Sequence, residues 1–523
     1  MPFSLVQGGS SLQTLDTSGT LTTLTLPTGV TIDTSTRPRF AIYGRYVVVV
    51  NSPTRPITVD PEGVVRVLTP RPPRTKPVAS AVAGGSLTGT YEGIKQSFFV
   101  NDSDGNTISE SGMGPPTLSI SPSSQAIQLA GIDVSTDTIS GSRFYRPATN
   151  GTTLFKWFDI EGNTQTTVMD DLADASLELV AAPELGNPPD LVLVAEFRER
   201  LWGRSRIDPD YLRYSEAGKM YAWPTLNKLL IPRIGSSERG ITGIISRRDS
   251  LIVGRETVLY QIAGSGRLTF ATVKIKENVG IESSDSIVVY RDVAYWLARD
   301  GVYSMDEGGK ITCISDNKVR NWFNSDTYFN RSRFQYAVGG VDPLRNKYIL
   351  LLANVGDSDE NRWVEYNITD GTWWGPHKTD AFTPVYVTNI LDSNSLSIPV
   401  ICSTTGFVYK EQSTRTDDTA TAIDFDVDGK FHDGGTPDIE KVWGQPTLIS
   451  KIQAAGTLTI TPKVGGLDAS AGTAISATMT LGREVLRRIG VGRFMQMNFR
   501  HTTAAQDVEL FGLEQPFFEL GSR

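Results

Sequence analysis

The 523-residue chain reads as all-β: a six-bladed β-propeller with an inserted β-sandwich and a C-terminal β-sandwich-like domain. Three observations predict this. Short apolar runs, alternating or continuous, are bounded by turn residues along the whole chain. No long window carries a 3.6-residue apolar period; only short stretches such as 316–323, where Val319, Trp322 and Phe323 would share a face, read as helix. A unit of strand, polar turn, strand and an aromatic beside a Gly or Asp turn recurs roughly every 45–55 residues, close to a propeller-blade period.

Composition bounds the rest. Hydrophobic residues make up 39% and charged residues 21%, as suits a globular chain, while 49 Gly and 28 Pro supply frequent reversals. The length calls for about two to four domains. A net charge of −8 favours solubility and offers no basic footprint for wrapping nucleic acid. Two cysteines, Cys313 and Cys402, exclude a disulfide scaffold and a CxxC metal site; both sit in strand-like runs as buried thiols, with one bond between them left open. The start, MPFSLVQGGSSLQ, has no basic segment followed by an apolar run, so no secretory signal is expected. No apolar run nears the roughly 20 residues of a membrane-spanning helix, and no membrane insertion is expected.

In chain order, 1–38 is Thr- and Ser-rich and reads as an extended N-terminal arm or a pair of edge strands. The first blade, 39–76, holds RYVVVVNSPTRPITVDPEG (45–63). A β-sandwich occupies 77–182, with strand runs at 90–100, 117–120, 126–129, 141–145, 153–160 and 166–169 and turns at Asp104-Gly105, Asn150-Gly151 and Gly162-Asn163. The remaining blades fill 183–413, with units at 199–218, 249–266, 293–309, 347–374 and 398–412. A stack of two-sheet sandwiches would give a similar string. From 414 to 523 the repeat stops, and runs at 422–427, 442–450, 457–464, 474–481, 493–499 and 508–511 read as the C-terminal sandwich.

Several stretches carry a family resemblance. LTGTYEGIKQSFFV (87–100), GSRFYRPATNGTTLFKWFDI (141–160) and MDDLADASL (169–177) resemble the fibronectin type III-like insert of phage structural proteins. RLWGRSRIDPDYLRYSEAGKMYAWP (200–224), GIESSDSIVVYRDVAYWLARDGVYSMDEGGKITCISD (280–316) and IGVGRFMQMNFRH (489–501) together resemble the tail nozzle, or hub, proteins of short-tailed bacteriophages. That resemblance implies a structural virion protein, assembled in the host cytoplasm as a homohexameric ring below the portal-adaptor complex. The ring extends the DNA ejection channel, and DNA passes without specific binding. Implied partners are further copies of the chain, the phage adaptor or other tail proteins, and tail fibres. The alternative is a receptor- or carbohydrate-binding tail protein.

Chemistry is sparse, and neither catalytic residues nor a cofactor are expected. His377, His432 and His501 lie far apart, and no GxSxG, P-loop or HExxH occurs. The best metal-like signal is DFDVDG, where Asp424, Asp426 and Asp428 followed by Gly429 match the start of a calcium loop. The loop then fails, with His432 at the ninth position and Gly435 at the twelfth, and Ile423, Phe425 and Val427 alternate as in a strand. Asp170, Asp171 and Asp174 are either a carboxylate pair for glycoside hydrolysis or solvated turn acids. Arg198, Arg200, Arg204 and Arg206 are either a DNA- or subunit-facing row or a strand face paired with Glu196 and Glu199. Trp202, Trp296, Trp322, Trp363, Trp373 and Trp374 read as packing between blades rather than stacking platforms for sugars or bases.

Overall fold

A computed structural model describes residues 4–520 except 179–180, 236–237, 317–318, 380–381, 395, 411–416, 419–420, 423–424, 453–455, 467–469, 479 and 503–509. The chain divides into two compact units, 1–376 with 384–408, and 377–383 with 409–523. It is essentially all-β, built from small antiparallel sheets and sandwich-like units. The predicted helix is a single turn and a half, Arg320–Asn324, with Phe323 buried.

Six consecutive antiparallel meanders organise the first unit. Sheet I consists of Arg39–Tyr43, Tyr46–Val50, Ile57–Val59 and Val65–Val67. Sheet II is Leu191–Phe197, Arg200–Ser205, Tyr211–Tyr214 and Lys228–Leu230. Sheet III is Gly243–Ser246, Leu251–Gly254, Val258–Ala263 and Ala271–Glu277. Sheet IV is Val288–Tyr290, Val293–Ala298, Gly301–Met305 and Ile311–Cys313. Sheet V is Val338–Asp342, Lys347–Leu352, Arg362–Asn367 and Trp373–His377. Sheet VI has three strands, Pro384–Leu391, Ser397–Ser403 and Val408–Lys410. Each repeat unit seen in the sequence falls within one of these meanders.

Continuous apolar strands follow from burial on both faces. Successive side chains point to opposite sides of a strand. Leu251 and Val253 therefore join Trp202, Leu212 and Tyr214 of sheet II, while Ile252 between them joins Trp296 and Tyr303 of sheet IV. The pattern continues along the chain. Ala41, Val48 and Val50 meet Leu191 and Leu201; Tyr295, Leu297 and Val302 meet Tyr348 and Leu350; Val338 and Leu351 meet Val387. Close approach needs one glycine in particular: a Cβ on Gly340 would lie 2.7 Å from Val387 Cγ2.

Hairpins reuse one polar turn. Asp60 Oδ1 accepts from the N–H groups of Glu62 and Val64 at 3.1 and 2.8 Å, and Gly63 takes φ 82°. Asp102 with Gly105 and Asp16 with Gly19 repeat the arrangement. The aspartate replaces missing backbone bonds, and the glycine takes the left-handed position.

The N-terminal segment is neither an extended arm nor a pair of edge strands. It forms a three-stranded meander, Ser4–Gly8, Ser11–Leu15 and Leu21–Thr23, whose Leu12 is buried against Val49, Ile57, Val59 and Val67 of sheet I.

Between sheets I and II the chain builds a two-sheet unit. One sheet runs in the order Thr107–Glu110, Lys95–Asn101, Gly141–Pro147, Leu154–Glu161; the other in the order Thr167–Asp170, Ser123–Ala130, Val78–Thr88. Ile127 and Leu129 of one sheet pack against Phe144 and Trp157 of the other. Asp137 anchors this unit to sheet I by a two-pronged contact with Arg55, at 2.7 and 2.9 Å, and by accepting from the Arg71 N–H at 2.7 Å.

The second compact unit also contains antiparallel sheets. The largest orders Phe425–Asp428, Phe494–His501, Thr457–Gly465 and Ile475–Thr478. Its core gathers Trp443, Leu448, Leu458, Ile460, Met495 and Met497.

Candidate functional site

The first strands of sheets I to VI all line one cavity of about 330 Å³. Its walls mix apolar residues, including Leu193, Ile244, Val341 and Val387, with polar ones such as Arg39, Asp285 and Tyr386. An ion-pair chain links distant segments here. Arg39 lies 2.9 Å and Arg37 3.5 Å from the nearly buried Asp285 carboxylate, and Arg37 also reaches Glu360 at 2.9 Å and the Tyr336 carbonyl at 2.7 Å. Arg39 Nε is buried without an acceptor. Burial pushes the Tyr386 hydroxyl up to about 12, so it remains a neutral donor at physiological pH.

A second cavity, about 410 Å³ and open to solvent, is lined by residues around sheets III, IV and V. Arg239 sits at its centre, with Nε on Glu256, Nη2 on Glu282 at 2.6 Å and Nη1 on Gln335 at 2.8 Å. Arg299, Arg331 and Ser332 complete the polar lining above buried Phe334. The two carboxyls are pushed apart. Burial works to raise Glu256, but the backbone and side-chain N–H groups of Arg239 outweigh it and hold the carboxyl below its usual value. At Glu282 burial prevails over Arg239 and the pKa is raised.

The sequence-predicted residues are not brought together in either cavity. Asp424 lies outside the described residues. Asp426 and Asp428 are on the exposed strand Phe425–Asp428, with Phe425 and Val427 exposed between them. Asp426 accepts from Asn498 Nδ2 at 2.5 Å, and Asp428 lies 3.4 Å from Lys463 Nζ. Among the described residues no group of three His, Cys, Asp or Glu side chains is placed to hold a metal ion. His501 is buried with Nδ1 3.1 Å from the Thr457 carbonyl, and His432 pairs through its backbone with Met495. Cys313 and Cys402 are both free thiols.

Of the Asp170, Asp171 and Asp174 cluster, Asp171 is exposed, as a solvated turn acid would be, whereas Asp170 and Asp174 are paired with an arginine. Asp170 is buried, and its carboxylate lies 2.7 Å from Nε of the fully buried Arg146. Asp174 takes the other side of the same guanidinium at 2.6 Å and accepts from Thr149 Oγ1 at 2.7 Å. Burial raises Asp170 to about 6 against the pull of Arg146, so at neutral pH both acids serve as counter-ions.

The arginine row is likewise divided among local partners. Arg200 is buried, lies over the Tyr214 and Phe270 rings and donates to the Ser215 carbonyl at 2.8 Å. Arg204 donates to the Ile241 carbonyl, Arg198 to that of Gly264, and Arg206 to Asp190 and Asn51. Trp202 and Trp296 are fully buried between sheets, whereas Trp374 is 57% exposed.

Sequence reasoning missed the open charged cavity altogether. Its charged residues come from five separate connections, and each alone resembles an ordinary surface charge.

No family model matches the chain, and no curated protein matches it. Solved structures give loose likenesses. An exo-β-1,3-galactanase from Phanerochaete chrysosporium is 10% identical, with 62% of this chain and 95% of that chain covered and a TM-score of 0.24. The extracellular domain of a hybrid two-component system from B. thetaiotaomicron is 9% identical, with 97% and 72% covered and a TM-score of 0.28. PorZ, a surface component of the type-IX secretion system of Porphyromonas gingivalis, is 7% identical, with 98% and 80% covered and a TM-score of 0.26. At these TM-scores the likenesses assign neither a fold nor an activity to this chain.

Proposed function

We propose that the six meanders form a six-bladed propeller, that the unit inserted after sheet I is fibronectin III-like, and that the chain is a non-enzymatic subunit of a ring-shaped virion tail nozzle. Sequential sharing of cores from sheet I to sheet VI, and a cavity lined by all six first strands, support the propeller. The observation that carries this proposal furthest is that one cavity is lined by the first strands of all six meanders. At about 330 Å³ it suits a small molecule and admits no DNA duplex, and the Arg39–Asp285 pair spans segments on its wall. A channel for DNA would therefore run between copies of the chain, as in a closed ring with head-to-tail contacts. Outer strands such as Ala271–Glu277, with exposed Val273 and neighbouring Leu268, provide interface material. Light scattering and negative-stain imaging of the purified protein test this. Six copies around a central hole are expected; a stable dimer or trimer without a hole overturns the reading.

A second reading, a receptor- or carbohydrate-binding tail protein, is favoured by the open cavity around Arg239, which is lined by charged side chains.

A further inference from the structure

The open cavity has two unlike walls. Arg239 is engaged at all three nitrogens, with Glu256, Glu282 and Gln335 on its Nε, Nη2 and Nη1. Arg299 lies near enough for its charge to act on Glu256 and Glu282, yet charged groups elsewhere in the cavity lack hydrogen-bonded counter-ions. Arg299 is exposed and forms no side-chain hydrogen bond or ion pair among the described residues. Arg331 reaches only backbone carbonyls, Arg299 at 3.2 Å and Asn324 at 3.5 Å, and no carboxylate lies within ion-pair distance of it among the described residues. Glu282 uses Oε1 for Arg239, and its Oε2 accepts from no group among the described residues. The cavity thus offers two guanidiniums that hydrogen-bond no carboxylate among the described residues, and a Glu282 oxygen without a donor.

These walls select a ligand by exclusion. A compact dianion such as phosphate would meet Glu256 and Glu282 at short range, and a simple cation would meet Arg299 and Arg331. A ligand with one negative group and several hydroxyls satisfies both sides. Its carboxylate would take planar, two-pronged hydrogen bonds from guanidinium, and its hydroxyls would donate to the glutamates in charge-assisted bonds. Ser332 and Gln335 add neutral polar contacts, and about 410 Å³ lies within the range of small-ligand pockets. We propose that this cavity binds an acidic saccharide, a sugar residue bearing a carboxylate. The proposal rests on the second reading above.

Titration calorimetry on the full chain, with N-acetylneuraminate and glucuronate as probes and glucose and inorganic phosphate as controls, tests it. Saturable binding of one acidic sugar is expected, at least tenfold tighter than glucose and uncompeted by phosphate. Arg299→Ala should weaken it at least tenfold, and because Arg299 is exposed the variant is expected to keep its fold. Glu282→Gln gives an independent check on the hydroxyl side and should weaken the same sugar severalfold. Equal binding of acidic and neutral sugars, tighter binding of phosphate, or indifference to Arg299→Ala overturns the proposal. A glycan array separates the two levels. Glycan binding that survives Arg299→Ala leaves the second reading standing and removes this pocket from it; no binding to any glycan removes both.

Discussion

The six meanders and the inserted sandwich both bury antiparallel strands, but they fill their interiors with different chemistry. Between the meanders the shared core clusters are apolar on both faces of a strand, Trp202 Nε1 donates to the Phe197 carbonyl at 3.0 Å and Trp296 Nε1 to that of Gly280 at 2.9 Å, and buried charges such as Arg255 and Asp285 lie outside those clusters. The sandwich places a larger network of ionised groups within its own interior. Arg146 lies between Asp170 and Asp174, and Glu110 accepts from Tyr145 and Ser97 at 2.6 Å each and from Arg143 at 2.9 Å. Stability at the shared meander cores therefore depends on volume and shape, whereas in the sandwich interior it depends also on charges keeping their partners.

The contrast breaks most readily at a tryptophan. Trp296 is fully buried between sheets III and IV. Trp296→Ala should destabilise the first unit by about 3–5 kcal/mol, the cost of lost burial plus a cavity that rigid sheets cannot close. Denaturant unfolding followed by circular dichroism measures it. A loss under about 1 kcal/mol would mean that the sheets do not share this core in solution.

Charge removal in the sandwich should cost somewhat less and, unlike the tryptophan, should be reversible by a second substitution. Asp170→Ala leaves the buried Arg146 with Asp174 alone and should cost about 3 kcal/mol. Replacing the pair together, Arg146→Met with Asp170→Leu, should recover most of that loss, because a buried ion pair contributes little net stability over apolar groups of similar volume. If the double variant is as unstable as the single one, shape rather than charge governs the sandwich, and the contrast with the meanders fails.

These two interiors were unequally legible in the sequence. Runs such as Tyr46–Val50 and Lys347–Leu352 betray two-faced burial by their continuous apolar residues, so the second strand of each meander was found. The first strands escaped the repeat. Gly243–Ser246 and Leu191–Phe197 face a cavity on one side, and their half-buried positions weaken the pattern. Asp170 looked like a turn acid because its partner, Arg146, belongs to another sheet and nothing local marks the pairing. The N-terminal meander was missed for a similar reason: its few leucines gain meaning only against sheet I. Arg239, Glu282 and Arg331 share a cavity through tertiary structure alone, which no spacing rule anticipates.

The smallest effect asks whether charge matters between the meanders at all. Asp210 joins sheets II and III by accepting from Arg233 and from the buried Arg255, each at 2.7 Å. Hydrogen bonds from Arg233 outweigh the opposing effect of burial and, with Arg255, hold the Asp210 carboxyl below its usual 3.8. A carboxyl depressed in the folded state adds stability that is fully present above the unfolded value and is lost as pH falls through the folded one. Asp210→Asn should therefore cost about 1 kcal/mol at neutral pH, because the site is partly open to solvent. That difference should shrink below about pH 4, where the wild-type carboxylate is itself being protonated. Melting curves of both proteins from neutral pH to pH 3 would measure the gap. A gap that stays constant with pH would assign the loss to packing; a gap that closes would mark Asp210 as a charged joint beside the apolar core shared by sheets II and III.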